Sequence, residues 1–544
     1  MAVGISFWLP LALSALLFVA VQCRKTGRRP PGYPPGPPTL PVLGNLHQLP
    51  KTNGHLQFQK WAREYGPVYS LMLGPKVMIV LSSDQAVKDL LDKRGGIYSS
   101  RPERYIAQDC ISQGHRVVLM GYDELLRTIR KVARRVLDTG VIDTYIPYQD
   151  LESKAMLKSL LDTPAAYYDH IRRYTTSLTT SMDYGFRLVS MEDPRAKQLF
   201  DGFLKFNALA GSQIAILLDI FVFLRKLPDV ILPTRRRAAQ VGRDEHELFM
   251  AEYLDVKRKT ADGTAIPCFA ADLVHEQRAQ DLTDKTAAYI CGSFLQAGSE
   301  TTSAEIIAFV QAMLIFQNVP KLAQAELDRV CGDRLPELSD APELPYVRGC
   351  IKETLRWMPT AILGVPHAVS RTDTYMGYII PQDAAVVLNV WAIQNDPQRH
   401  RDPRTFDPDR WRGEDLSSAD SATHPDVRKR DHFVYGAGRR LCQGMHIADR
   451  SLFLAIARML WAFDFQRDTN QITGDAIIPD AGDLTQGLFV YPRSFPCRLV
   501  PRDASKAACI NGSWDKALEL LDEHLQWKGY PEALATMSHR VSKR

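Results

Sequence analysis

Apolar residues divide the chain into a short N-terminal hydrophobic run and a long body. No side chain from Met1 to Cys23 is charged, and at about 1.5 Å per residue a helix of this length crosses a membrane. The basic residues that follow the run favour a cytosolic position for everything downstream. We therefore predict one transmembrane helix over 1–23, with a cleaved secretory signal as the alternative.

A basic and proline-rich stretch follows the hydrophobic run. Seven prolines between Pro30 and Pro41 favour extended backbone, which acts as a semi-rigid spacer. The pattern predicts a linker over 24–50 and a folded body over 51–503. The remaining residues, 504–544, form a tail that contains a helical pattern, and the sequence does not show its role.

Helical periodicity dominates the body over about 84–358, and short apolar strands such as 68–73 and 385–390 lie on either side of it. The segment 284–316 is the longest predicted helix, and apolar residues cover most of its circumference. A helix of that kind is expected at the centre of a protein. The predicted fold class is mainly α with smaller β regions.

Composition narrows the classes of function. The net charge of +5, from 67 basic and 62 acidic residues, is too small a bias to indicate nucleic-acid binding as the main activity. The nine cysteines include no CxxC pair, which argues against a disulfide framework and against a structural zinc site. Cys442 differs from the other cysteines in its neighbouring residues.

Cys442 lies among three glycines in the segment 435–444, directly before a helical pattern. Glycines permit turns that other residues resist and let a flat ligand approach closely. A thiolate at the start of a helix is favoured by the exposed N–H groups and the helix dipole. Cys442 is therefore a candidate iron ligand, and the alternative is a buried thiol in a glycine-rich turn.

This segment resembles the cysteine loop of the cytochrome P-450 family, whose pattern is Phe-x-x-Gly-x-Arg-x-Cys-x-Gly. Gly438, Arg440, Cys442 and Gly444 match the pattern, and Tyr435 replaces the phenylalanine. The resemblance implies the cytochrome P-450 fold, with a long central helix over haem b and Cys442 as the axial ligand of the iron. It makes the body the haem-thiolate catalytic domain.

A second motif of the family is carried by Glu353 and Arg356, which share one face of a helix. Alone, such a pair is most often a solvated ion pair. The resemblance adds Arg410, from the segment 406–411, and implies a buried structural network of the three residues near the cysteine loop. The amino-acid sequences of this segment and of 389–397 resemble those of fungal family members that act on secondary metabolites.

A third motif lies in the long helix at Gly298, Glu300 and Thr301. It resembles the oxygen-activation motif of the family. We expect Gly298 to leave room beside the cofactor, and the acid and the alcohol to relay protons. The alternative for Thr301 is a hydroxyl that bonds a preceding backbone carbonyl.

The residues that hold the haem propionates depart from the family pattern. Leu126 stands where the family usually has a tryptophan, while Arg130 remains in place. The other propionate ligands implied by the resemblance are Arg440 and His367, because guanidinium and imidazolium groups pair well with carboxylates.

Together these motifs imply a monooxygenase that inserts one oxygen atom of O2 into a small, largely apolar organic molecule. Its electrons are expected from a separate NADPH-dependent cytochrome P-450 reductase, because the chain has no room for a flavin domain. We expect a single-pass protein of the endoplasmic reticulum membrane that contacts lipid and has its catalytic domain on the cytosolic side. Docking of the reductase is expected at the basic residues Arg127, Lys131, Arg134, Arg135, Lys429 and Arg430.

Two other functions are compatible with the cysteine loop. One is a haem-thiolate isomerase or dehydratase, which needs no reductase and no acid and alcohol pair. The other is a non-catalytic haem-binding protein, which does not account for the polar residues Glu300 and Thr301 in the central helix.

Overall fold

The computed structural model describes residue 22, residues 24–137 and residues 142–529. Apart from Gln22, the predicted membrane anchor over 1–23 lies outside these residues, as does the end of the tail. Within the described part of the chain, no single helix has the length and apolar character needed to cross a membrane.

Helices are the main secondary structure of the described chain, as the periodicity predicted. In chain order they are α1 (Gly54–Tyr65), α2 (Asp84–Val87), α3 (Gly95–Tyr98), α4 (Glu124–Val136), α5 (Ile146–Asp162), α6 (Tyr167–Tyr184), α7 (Pro194–Ala210), α8 (Gln213–Ile220), α9 (Pro233–Ala261), α10 (Phe269–Gln277), α11 (Asp284–Ile315), α12 (Asn318–Cys331), α13 (Pro345–Trp357), α14 (Val390–Gln394), α15 (Ser418–Ser421), α16 (Met445–Ala462) and α17 (Ala504–Leu518).

The strands form three small sheets. Their bounds are β1 (Val68–Leu73), β2 (Lys76–Leu81), β3 (His367–Ala368), β4 (Asp373–Tyr375), β5 (Tyr378–Ile380), β6 (Ala385–Leu388), β7 (Phe463–Gln466) and β8 (Arg498–Pro501). The largest sheet has the order β1-β2-β6-β3, with β2 and β6 parallel and the other neighbours antiparallel. The pairs β4–β5 and β7–β8 are antiparallel. The predicted class, mainly α with smaller β regions, is confirmed.

The central helix α11 has almost the bounds that its apolar pattern predicted. It begins after Thr283, whose side-chain oxygen accepts the N–H of Thr286, and it ends one residue before Phe316. Most of its side chains are buried, and it packs against α6 and α9. Apolar residues around the whole circumference place this helix in the core, because any exposed face would leave apolar surface in water.

The proline-rich stretch packs on the largest sheet. The Arg29 guanidinium donates to Ser70 Oγ of β1 at 2.9 Å and to the Gly36 carbonyl at 2.9 Å. A Cβ added at Gly36 would lie 2.2 Å from the Ser70 carbonyl oxygen, so the two segments approach closely. This part of the predicted linker therefore belongs to the folded body.

The described part of the tail also packs on the body. Helix α17 lies against α5 and α16, and the hook that follows it buries Leu521 and Trp527. The Trp527 ring meets Tyr148 of α5 edge-on, with 5.1 Å between ring centroids. The side chain of Gln526 exchanges two hydrogen bonds with the backbone of Arg187, at 2.9 and 3.1 Å. The hook is therefore fixed by both packing and hydrogen bonds.

Candidate functional site

The loop that carries Cys442 is held by backbone hydrogen bonds and by one acid. The N–H of Cys442 donates to the Tyr435 carbonyl at 2.9 Å, and the N–H of Gly438 donates to Asp92 Oδ1 at 2.9 Å. Gly438 has a φ of +61°, and a Cβ there would lie 2.0 Å from the Leu91 carbonyl oxygen. Only glycine fits this position. The loop leads directly into α16, which begins at Met445.

The Cys442 thiol is accessible to solvent, yet it lies deep enough that burial raises its pKa. Both observations hold if the sulfur opens onto an internal space. The backbone N–H of Gly444 and the charge of Arg130 oppose the effect of burial on this pKa. The group is therefore a thiol until a cation binds, since a metal deprotonates a coordinating thiol.

A cluster of buried basic groups, Arg101, Arg130, Arg440 and His367, lies beside the loop. We call it the cationic cluster. Burial and, to a smaller extent, the charge of Arg130 together lower the pKa of Arg440 to about 10. The pKa of His367 lies well below its usual value because of burial and the nearby Arg101 charge.

Hydrogen bonds hold the cationic cluster without neutralising it. Arg440 donates to the carbonyls of Ser99 and Met120 at 2.7 and 2.6 Å. Arg130 donates to the Leu441 carbonyl at 2.9 Å. Within the described residues, none of the three guanidinium groups forms a salt bridge with a carboxylate.

The three buried guanidinium groups favour an anionic partner, because they lower the pKa of neighbouring basic groups and none of them is paired with a carboxylate within the described residues. His367, whose Nδ1 lies 2.7 Å from the Tyr98 carbonyl oxygen, is uncharged at neutral pH. The two propionate groups of a haem match this requirement in charge. The residues present therefore fit the cofactor that the cysteine loop implies.

Arg101 is a member of the cationic cluster that sequence reasoning missed. Its guanidinium donates to the carbonyls of Val365 and Pro366 at 2.5 and 2.9 Å, and its pKa is lowered well below the usual value by burial and by Arg440 and Arg130. Only the fold brings this arginine to the cluster, so no local pattern indicates it. Leu126, which replaces the expected tryptophan, is fully buried and supplies no donor.

One face of the central helix is accessible where the rest is buried. Ser293, Ala297 and Thr301 are spaced by four residues, so they share this face, and Ala297 is exposed although it lies near the middle of α11. The Thr301 hydroxyl donates to the Ala297 carbonyl at 2.6 Å. The apolar Phe294 borders the same face. Thr301 therefore combines its helix hydrogen bond with access to an internal space.

Glu300 points away from that face. Its carboxylate lies 3.5 Å from the Arg172 guanidinium of α6, burial raises its pKa, and the Arg172 charge opposes the rise. The structure therefore places Glu300 and Thr301 next to each other in sequence but on different sides of the helix. The Arg172 side chain is partly exposed, so this ion pair extends towards the surface.

Gly298 takes a different place from the one we expected. A Cβ there would lie 2.8 Å from Thr179 Oγ1, so the open side of this glycine faces α6. The position allows two core helices to approach closely and does not leave room beside a cofactor. The motif predicted a glycine at this position. Which neighbour the open side of Gly298 faces depends on how α11 packs.

The second motif forms a closed network. The Arg356 guanidinium donates to both oxygens of Glu353, at 2.8 and 2.6 Å, and Arg410 donates to Glu353 Oε1 at 3.2 Å. Trp411 Nε1 donates to Glu353 Oε2 at 3.1 Å, a partner that the sequence did not identify. Glu353 and Arg356 are completely buried. The structure therefore brings the three predicted residues together.

Two further predicted residues, Tyr435 and Arg430, are buried. The Tyr435 ring is buried and packs edge-on against His432, and its hydroxyl has no hydrogen-bond partner in the described structure. Arg430 was expected to supply surface charge for docking. It is buried and donates to Asp92 Oδ2 at 2.6 Å, so it supports the cysteine loop and cannot serve as a surface cation.

Of the five other predicted docking residues, Lys429 is exposed but lies on a different segment, and the other four form one surface. They lie on the exposed face of α4, next to Arg130, and comprise Arg127, Lys131, Arg134 and Arg135. We call them the basic face of α4. Gln443 of the cysteine loop donates to the Arg130 carbonyl at 2.9 Å, so the basic face lies on the same side of the molecule as Cys442. Only Arg135 in this set forms a salt bridge within the described residues, with Glu276.

Comparisons with known proteins point to one family. The cytochrome P450 family model matches residues 34–476. Cytochrome P450 monooxygenase virE of Hypocrea virens is 54% identical over 97% of this chain and 96% of the relative. Cytochrome P450 monooxygenase fogE of Aspergillus ruber is 52% identical over 96% of this chain and 98% of the relative. A solved zebrafish cytochrome P450 has the same fold, with a TM-score of 0.65 at 23% identity over 82% of this chain and 100% of that chain.

Proposed function

The chain belongs to the cytochrome P450 family and is a monooxygenase, and from that premise we propose its reaction. It oxidises a small, largely apolar organic molecule with O2 and electrons from an NADPH-dependent reductase, in fungal secondary-metabolite biosynthesis. The observation that carries the proposal is the unpaired cationic cluster beside an accessible, deeply placed Cys442 thiol. An iron ligand and a propionate site are thereby adjacent.

The chain's own residues hold the cofactor in this proposal. Cys442 binds the iron, and Arg101, Arg130, Arg440 and His367 bind the propionates. Haem bound through a thiolate supplies the chemistry that splits dioxygen. The fixed hydrogen bonds of the arginines to backbone carbonyls orient their guanidinium groups before the cofactor arrives, which lowers the entropic cost of binding it.

Protons for the reaction pass through the two polar residues of α11. The Thr301 hydroxyl lies on the accessible face and holds a proton where dioxygen is reduced. Glu300, with a raised pKa, takes protons from the side of Arg172, whose partial exposure connects it with solvent. A change of the Glu300 rotamer brings its proton towards Thr301.

Electrons enter from the cysteine side. The basic face of α4 is the docking surface for an acidic patch of the reductase, because opposite charges steer such encounters. The substrate lies against the accessible face of α11 and the apolar residues Val117, Leu363 and Val365, which are partly accessible. An apolar wall with few polar groups favours an apolar substrate.

The proposal extends to the place of the protein in the cell. Residues 1–23 anchor the chain in the endoplasmic reticulum membrane, and the basic residues after them hold the catalytic domain on the cytosolic side. The catalytic domain is then next to its reductase and to apolar substrates dissolved in lipid.

Reconstitution tests the proposed reaction. Metabolite extracts from cells that lack the gene are incubated with purified protein, reductase, NADPH and O2, and new oxygenated products are sought by mass spectrometry with 18O2. We expect one labelled oxygen atom in a product that requires all components. Product formation without reductase and O2 would instead favour the isomerase or dehydratase, and binding without turnover would favour a non-catalytic haem protein.

A further inference from the structure

A second buried acid lies on the central helix, and the motifs do not account for it. Glu305 follows Thr301 by four residues, one turn further along α11, and only 3% of its surface is exposed. Its Oε1 accepts the backbone N–H of Thr360 at 3.0 Å. A buried acid in an apolar helix requires a physical reason, because burying a charge without a partner is costly.

No cation neutralises Glu305. Burial raises its pKa to about 8, and the hydrogen bond from Thr360 only partly opposes this rise. Within the described residues, no lysine or arginine lies close enough to lower the pKa. The negative charge of ionised Glu305 raises the pKa of Tyr435 in the cysteine loop. At neutral pH the carboxyl group therefore carries its proton.

Within the described residues, three buried polar atoms lack a hydrogen-bond partner: one on this acid, one on its partner Thr360 and one on Tyr435, whose pKa the Glu305 charge raises. They are Glu305 Oε2, Thr360 Oγ1 and the Tyr435 hydroxyl. Thr360 and Glu305 already touch through the first hydrogen bond, so their free atoms lie close together. Buried polar groups in proteins are almost always satisfied, and ordered water satisfies those that protein atoms do not reach. The cluster has the donors and acceptors that one bound water needs.

Thr360 lies directly before the segment 361–365, which contributes Leu363 and Val365 to the proposed substrate wall. Its carbonyl accepts the N–H of Val490 at 2.8 Å, which ties in the loop over 484–492. The chain then continues into the segment 361–365, where the Ile362 carbonyl accepts the N–H of Trp391 at 3.0 Å. Glu305 thus connects the central helix to both other segments at a single residue.

We propose that Glu305 is a positioning residue whose protonated carboxyl group, with Thr360, binds an ordered water and fixes the segment 361–365 of the substrate wall. Ionisation of Glu305 places an unpaired charge on α11 beside this segment, and more water must then enter and shift the segment to solvate the charge. The inference rests on the proposed function, because the wall matters only if a substrate binds against it. It adds a residue that controls how the substrate is placed.

The first test measures how tightly the haem-loaded protein binds 4-phenylimidazole. This probe ligates iron and fills the space beside it. Above pH about 8 we expect the wild-type dissociation constant to rise, by up to about tenfold per pH unit. Glu305→Gln, an isosteric neutral variant, should show no such rise. The ratio of the two dissociation constants removes the ionisation of the probe itself. A constant ratio between pH 6 and pH 9 would overturn the proposal.

The second test is infrared spectroscopy of the same proteins. We expect a carboxylic-acid C=O band that disappears as the pH rises through about 8 and is absent from Glu305→Gln. Thr360→Val keeps the backbone N–H but loses the hydroxyl, so a bridging water predicts a shift of the band. If the band does not shift in Thr360→Val, the proposed bridging water is wrong. The wild-type and Thr360→Val comparison decides this even if Glu305→Gln does not retain haem.

These outcomes are distinct from a failure of the proposed function. If Cys442 does not ligate haem iron, the carbon-monoxide complex of the reduced wild-type protein lacks the Soret position of a thiolate ligand. The infrared band of Glu305 does not depend on that ligand. A normal thiolate spectrum together with pH-independent probe binding would overturn the positioning role alone.

Discussion

Two buried groups of arginine side chains near the cysteine loop differ in what neutralises them. In the Glu353 network, one carboxylate receives hydrogen bonds from Arg356, Arg410 and Trp411, and charge is balanced within the protein apart from one excess cation near the surface. In the cationic cluster, the hydrogen bonds that Arg101, Arg130 and Arg440 donate within the described residues all go to backbone carbonyls.

This contrast separates a structural role from a binding role. A network that is complete without a ligand stabilises the fold by itself, whereas a cluster of like charges destabilises the fold until an anion binds. The two groups should therefore respond with opposite sign when one charge is removed from the protein without haem.

The largest expected effect is on the closed network. Glu353→Ala leaves Arg356 buried without its partner, and we expect a loss of about 3–5 kcal/mol in the free energy of unfolding. Chemical denaturation of the protein, followed by circular dichroism, measures it. Arg412→Ala is the control, because this exposed arginine of the same segment pairs only with Asp409. An equal loss of unfolding free energy in both variants would show that the network stabilises the fold no more than an exposed ion pair does.

The cationic cluster should show the opposite sign. Arg440→Met removes one buried like charge, and we expect this gain to outweigh the loss of the two hydrogen bonds that Arg440 donates to backbone carbonyls, so the protein without haem should be at least as stable as the wild type. Haem should bind about 10–100-fold more weakly, which corresponds to one lost charge-assisted hydrogen bond of about 1.5–3 kcal/mol. Titration of haem into the apoprotein measures the affinity. Unchanged haem affinity would mean that the cluster does not bind propionates.

A third buried group extends the comparison to the tail. Glu152 accepts hydrogen bonds from Arg173 and Arg187 at 2.9 and 2.5 Å, and the Gln526 side chain fixes the backbone of Arg187. Gln526→Ala should cost about 1–2 kcal/mol in the free energy of unfolding, because two hydrogen bonds are lost.

Thermal unfolding of this variant is compared with that of His524→Ala, whose side chain is exposed in the same hook. If both variants melt at the wild-type temperature, the tail does not support this network.

The smallest effect belongs to the exposed charges. Exchange of Lys131 and Arg134 on the basic face of α4 for glutamate should slow electron transfer from the reductase about fivefold at low salt, because steering is lost. The difference should shrink as the ionic strength rises. Stopped-flow reduction measures the rates, with Lys321→Glu on α12 as the control. A salt-independent difference would exclude steering.

How much the sequence could predict depends on whether a feature is local. The apolar circumference of 284–316 predicted the central helix to within one residue, and the spacing of Glu353 and Arg356 predicted a shared face. Features that depend on packing between distant segments were not accessible. Arg101 joins its cluster only through the fold, and the open side of Gly298 depends on the contact between α11 and α6.

The clustering of basic residues in the sequence also led to one wrong prediction, at Arg430. Arg430 belongs to a basic run that suggests an exposed surface, but the fold buries it against Asp92. Its charge is used to hold the cysteine loop, because Asp92 also accepts the N–H of Gly438. A pattern of charges does not distinguish such a residue from its exposed neighbour Lys429.

The most direct test of the account is the absorption spectrum of the reduced carbon-monoxide complex of the purified, haem-loaded protein. We expect the red-shifted Soret band that a thiolate ligand produces, and we expect Cys442→His to move the band to the position of a nitrogen ligand. A wild-type spectrum at the nitrogen-ligand position, or a thiolate band that persists in Cys442→His, would contradict the assignment of Cys442 as the iron ligand.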